Sequence, residues 1–85
     1  MRHRAHPDFW HCHRRLTTDV QRLADKSFGL LQQNSRHPSV RLKKTGEYWS
    51  ARVGLGHLAL AIEVDEGLMW VWIGAHDEYQ RFIDS

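Results

Sequence analysis

The sequence predicts an α+β domain in which two helices precede an antiparallel sheet of about four strands, with the helices under one face. Three features carry that prediction. Apolar residues recur at helical spacing from Val20 to Leu31. From Val40 to Val64 they recur instead at every second position, the period of a strand with one buried face. Turn residues punctuate this second region at Gly46, at Gly54 with Gly56, and at Asp65, Glu66 and Gly67, where they can supply tight connections.

With 85 residues the chain has room for a single domain, residues 1–85, and chains of this size bury about 60–65% of their unfolded surface. Hydrophobic residues make up 41% of it and four are tryptophan. Each buried tryptophan removes about 150–250 Å² from water, so a genuine core is expected and a disordered tail is excluded. Cys12 is the only cysteine; it can form no intramolecular disulfide, which suits a reducing, cytoplasmic setting. No apolar run approaches the ~18 residues of a membrane span, and the start MRHRAH lacks the apolar segment of a signal peptide.

Residues 1–6 are short and polar and read as a flexible N-terminal segment. Pro7 is placed to open a helix, since the first helical position needs no amide donor; Phe9, Trp10, His13 and Leu16 then share a broad face, and the helix ends near Leu16. Thr18 followed three residues later by Gln21 has the form of a capping box, with Thr18 as N-cap. A second helix follows, with Val20, Leu23, Ala24, Phe28, Leu30 and Leu31 inward. His37 precedes Pro38 and marks its boundary, because a residue before proline favours extended backbone.

In the sheet region Val40 and Leu42 alternate with Arg41 and Lys43, and Trp49, Ala51 and Val53 alternate with Tyr48, Ser50 and Arg52. The parity of Trp49 puts it with Ala51 and Val53 beneath the helices. Leu58, Leu60, Ile62 and Val64 alternate with His57, Ala59, Ala61 and Glu63. Leu68 to Ile73 is apolar at every position and reads as an interior strand. A last helical turn is expected from Asp77 to Ile83.

The net charge is only +2, but Arg36, Arg41, Lys43, Lys44 and Arg52 face a single Glu47 between residues 36 and 52, whereas the C-terminal part is acidic. Such asymmetry positions a polyanion better than uniform charge does. Basic strands ending beside a histidine and a tyrosine suggest a protein that grips RNA phosphates.

The run HPSVRLKK, then YWSARVGLG, then MWVWIGAHDEY, preceded by PDFW and a helix ending near QQNSRHP, resembles the RelE/ParE superfamily of bacterial toxins from type II toxin-antitoxin systems. The similarity covers nearly the whole chain after residue 6. It implies a RelE-like fold, a two-helix hairpin packed on an antiparallel sheet, together with inhibition of growth and neutralisation by a cognate antitoxin. RelE-like members cut messenger RNA, usually on the ribosome, whereas ParE-like members poison DNA gyrase. The chain departs from the pattern in two places. Relatives commonly carry Tyr-Arg where this chain has His57-Leu58, and that arginine stabilises phosphate in the ribonuclease branch. Many also begin with a strand, for which MRHRAH is short and polar.

Metal-independent RNA cleavage uses the ribose 2′-hydroxyl as nucleophile and needs a base, an acid and cations around the crowded phosphorane. On that reading His76, Arg52 and Tyr79 are the catalytic candidates, with a basic residue at position 52 implied by the resemblance. Arg41, Lys43, Lys44, His57 and Tyr48 are the RNA-binding candidates. Histidine suits proton transfer because an imidazole ordinarily titrates at about 6.5, and the tyrosines offer stacking surfaces. The competing reading of Arg41 and Lys43 is an ordinary solvated strand face.

His3, His6, His11 and His13 invite a metal site, but positions 11 and 13 fall on different faces of a helix and Cys12 adds no zinc spacing; no metal or other cofactor is expected. The expected partners are an antitoxin and messenger RNA, on or off the ribosome, with no membrane. The chain would act in the cytoplasm as a homodimer or a toxin-antitoxin hetero-oligomer. The alternatives are a ParE-like gyrase inhibitor, favoured by Leu58, and a non-catalytic relative that only binds its antitoxin.

Overall fold

The computed structural model describes residues 2–84, with side chains described through Arg81. Its elements run β1 (Arg2–Ala5), α1 (Pro7–Arg14), α2 (Thr18–Gln33), β2 (Lys43–Thr45), β3 (Tyr48–Val53), β4 (His57–Val64), β5 (Gly67–Ala75) and α3 (His76–Asp84). All five strands lie in one sheet of order β1-β5-β4-β3-β2. β2 to β5 pair antiparallel, as the alternation and turns predict, and β1 lies parallel to β5. Among the described residues no helix is long and apolar enough to cross a membrane.

Pro7 opens α1 as expected, and His6 caps it by accepting the Asp8 N–H at Nδ1 (3.0 Å). The cap of α2 is Thr17, one residue earlier than the sequence suggests; its Oγ1 accepts the Val20 N–H. Gln21 does not reach back as a capping box requires. Its Nε2 donates instead to the His13 carbonyl at 3.0 Å, beside the Leu16 N–H that the same carbonyl accepts at the end of α1. His13 Nε2 and Asp25 Oδ1, 3.0 Å apart, form a second tie between the two helices.

The N-terminal segment is where the structure departs most from expectation: residues 2–5 form an edge strand. Arg2 and Arg4 point outward and pair with Glu66 in the turn before β5, while His3 turns inward and is 8% exposed. A histidine is tolerated there because both ring nitrogens are satisfied. The indole N–H of Trp70 can only donate, so His3 Nδ1 accepts it at 3.1 Å. That leaves His3 Nε2–H to donate to Ser35 Oγ at 3.0 Å, tying β5, β1 and the end of α2 together. Gly67 makes room for the new strand, since a Cβ there would collide with the Arg2 backbone.

Burial pushes the His3 imidazole below its ordinary value. The unfolded chain therefore takes up this proton at about pH 6.5, and the folded chain only at lower pH. The stabilisation is complete above that unfolded value and is lost as pH falls through the window beneath it. Melting temperature should drop on acidification below about pH 6.5, and the slope of that drop should flatten in His3→Leu.

Register settles which side of each strand meets the helices. Ala51 pairs with Ala59 and Trp49 with Ala61, and the alanines join Phe9, Ala24, Leu31 and Val53 in the core. Leu58 and Leu60, whose alternation suggested a core side, instead lie opposite Arg52 and Ser50 on the other face. Small side chains under the helices permit a close approach of helix to sheet. In β5 a bulge at Val71 pairs Trp70 with Ala61 but Trp72 with Leu60. Trp70 and Ile73 thus both face the core while Trp72 turns away, which is why this strand reads as apolar throughout.

Trp49 lies on the expected face, but at the margin of the core and only half-buried. Its Nε1 donates to Glu63 at 2.8 Å, and Lys44 pairs with the same carboxylate at 3.1 Å. The Trp49 bond, followed by Lys44, holds the Glu63 carboxyl below the usual range.

Candidate functional site

On the sheet face away from α1 and α2, a cleft of about 290 Å³ is lined by Arg41, Lys43, Arg52, His57, His76 and Tyr79 over a floor that includes Ser50 and Leu58. Six residues singled out in the sequence therefore meet in one place. Lys43 pairs with Ser50 and Arg52 with Leu58, so both cations project from the same side of adjacent strands. Arg41 precedes β2 with a φ of 47°. This left-handed backbone ends the strand that the Val40 to Lys43 alternation suggests, and such strain in a non-glycine residue is uncommon. Val40 stays fully buried, its carbonyl accepting the Arg52 N–H at 2.7 Å.

The proton-transfer candidates enter from the far end. His57 opens β4 opposite Ala75, the residue before His76. The His76 N–H donates to the Gly56 carbonyl at 2.9 Å, pinning the start of α3 to the β3–β4 turn. Tyr79 sits on the first turn of α3 with its ring centroid 6.2 Å from that of His76. Gly74, opposite Leu58, is needed because the Trp72 ring lies over it, 2.5 Å from where a Cβ would stand.

Among the described residues no carboxylate lines the cleft, and none of Arg41, Lys43 and Arg52 is ion-paired. Arg2 and Arg4 are held by Glu66, and Lys44 by Glu63. The three cations that face the cleft are thus without an ion pair among the described residues, so an anion entering it need not displace a resident carboxylate. Two candidates lie elsewhere. Lys44 pairs with Trp49 in register, on the opposite side from Lys43, and Tyr48 stands at the distant start of β3, outside the lining. Asp77 and Glu78 fall in the first turn of α3, where acidic residues favour a helix N-terminus.

Sequence reasoning missed Ser50 and Leu55 in the lining. Ser50 shares the parity of Arg52 and could have been included on that ground; Leu55, in a glycine-flanked turn, carried no signal of a site. The histidines suspected of metal binding are dispersed, and among the described residues no group of three or more His, Cys, Asp or Glu could hold an ion.

No protein-family model and no curated protein sequence matches the chain. Solved structures do. The RelB-RelE antitoxin-toxin complex from Methanococcus jannaschii contains a chain that superposes with a TM-score of 0.68 at 13% identity, over 93% of this chain and 96% of that one. The isolated E. coli RelE toxin superposes with a TM-score of 0.63 at 12% identity, covering 96% and 94%. The fold is therefore α+β, helices packed on one mixed sheet. Specifically, it is RelE-like, as the sequence resemblance anticipates.

Proposed function

We propose that this protein is the toxin of a type II toxin-antitoxin pair and that it inhibits translation as a metal-independent messenger RNA endoribonuclease. The observation that carries the proposal is the convergence of Arg41, Lys43, Arg52, His57, His76 and Tyr79 on one cleft without a carboxylate among its described lining residues. In the reaction the ribose 2′-oxygen attacks the adjacent phosphorus as an imidazole takes its proton. Arg52 and Lys43 stabilise the doubly negative phosphorane. The 5′-oxygen then leaves with a proton from the second imidazole, giving a 2′,3′-cyclic phosphate and a 5′-hydroxyl. His76 is the principal proton-transfer group, His57 its complement, and Tyr79 orients the phosphate or stacks on a base.

The arginine absent at Leu58 leaves Arg52, its register partner, as the nearest cation to that position in the sheet. The partner is a cognate antitoxin, by analogy with the M. jannaschii complex, and the setting is the cytoplasm. Leu58 itself, an apolar side chain in the cleft floor, favours the second reading, a gyrase inhibitor or a non-catalytic antitoxin binder.

Inducing the protein in growing bacteria separates the two. The proposal expects protein synthesis to stop and messenger RNA to be cut before any DNA-damage response. Arg52→Ala should relieve the arrest, and in vitro it should reduce the salt slope of RNA binding by about 0.7, the value of one phosphate contact on a single strand. Continued translation with induction of DNA-damage signalling would select the gyrase reading.

A further inference from the structure

The two arginines of the cleft also wall a second groove. It measures about 460 Å³ and runs between α2 and the β3–β4 turn, with Leu23, Leu30 and Pro38 as its apolar lining and Lys26 as a further cation. Arg41, Arg52 and Leu55 line both spaces, so the groove and the cleft meet along these three side chains. Two features mark the divide. Arg41 adopts its strained left-handed backbone there, a conformation that costs energy and clusters at functional positions. Leu55, between Gly54 and Gly56, is 97% exposed, leaving an apolar side chain in water beside the cations.

Charge selects the occupant. Among the described residues no carboxylate lines the groove. Asp25, the neighbour of Lys26, is turned toward α1 and held by His13, so it does not neutralise the groove. Cations above an apolar floor match a chain that alternates phosphates with flat apolar rings.

We propose that this groove is a second nucleotide subsite for single-stranded RNA, continuous with the cleft, in which Lys26 and Arg41 hold a backbone phosphate and Leu55 packs between bases at the divide. The proposal rests on the RNA-cleaving reading of the cleft and adds a path for the strand beyond the scissile phosphate.

The test compares two RNA probes, a dinucleotide followed by NMR shifts and a longer single strand followed by fluorescence, each across a salt series. Lys26→Ala should weaken the longer strand several-fold and reduce its salt slope by about 0.7. Leu55→Ser should weaken it several-fold with the slope unchanged, because no charge is lost, and Arg52→Ala should weaken both probes. Both new positions are exposed, so melting temperatures should match the wild type. A misfolded fraction would lower both probes together without altering the slope. If Arg52→Ala weakens both probes while Lys26→Ala and Leu55→Ser affect neither, the cleft stands, the subsite is refuted and the groove belongs to a protein partner. If the wild type binds neither probe, the RNA reading and the subsite fall together.

Discussion

Replacing His76 by glutamine is expected to slow RNA cleavage by about 10²–10⁴-fold, the usual scale for losing a general acid or base, with RNA affinity nearly unchanged. The expectation follows from its place in the cleft. His76 stands where β5 gives way to α3, pinned by its own N–H to Gly56, and it shares the lining with three cations and His57. Glutamine keeps a polar side chain of similar reach but cannot exchange a proton near neutrality. Single-turnover rates at saturating enzyme isolate the chemical step from binding. Tyr79→Phe in the same assay separates the ring from its hydroxyl: a loss confined to rate implicates the hydroxyl, and an unchanged rate leaves stacking as the role of Tyr79. A His76→Gln variant that cuts at the wild-type rate would remove His76 from the mechanism and leave His57 as the candidate.

Trp70→Ala should destabilise the fold by about 3–5 kcal/mol, as buried large-to-small changes of this kind do. Native proteins have only about 5–15 kcal/mol in total, so the variant should lose a large share of its stability and melt well below the wild type. Trp70 is 1% exposed and stands at the centre of the core. Its ring lies edge to edge with that of His3, centroids 6.0 Å apart, and its N–H is the donor that His3 accepts. Trp70→Phe keeps most of the apolar contact but orphans the imidazole nitrogen, at about 1–3 kcal/mol. Combining it with His3→Leu, which removes the orphaned group, should recover part of that loss in denaturant unfolding. Strict additivity of the two changes would mean that the bond does not hold β1 to β5.

The elements most legible in the sequence were those whose physics is local. Helical spacing located α2, Pro7 located the start of α1, and period-two alternation with glycine turns located β3, β4 and their hairpins. What the sequence concealed depended on pairing across the chain. β1 turns His3 and Ala5 inward, a histidine and a small residue, so no strong apolar alternation announces it; the burial of His3 makes sense only once Trp70 and Ser35 are beside it. The sides of β4 were misread because leucine is the more hydrophobic choice. Register with Ala51 places Ala59 under the helices regardless. For the candidate site, parity grouped Lys43 and Arg52, whereas Arg41 reaches the same cleft from a left-handed residue outside the strand. It could not show that Lys44 is spent on Glu63, or that Leu55 stands between two grooves.

The chemistry of the RNA ends tests the central claim most directly. Purified wild-type protein would be incubated with translating ribosomes, and the ends of the cut messenger identified. The account requires a 2′,3′-cyclic phosphate on one fragment and a 5′-hydroxyl on the other, with both lost in His76→Gln. Fragments ending in a 3′-hydroxyl and a 5′-phosphate, or an uncut messenger both on and off the ribosome, would contradict it.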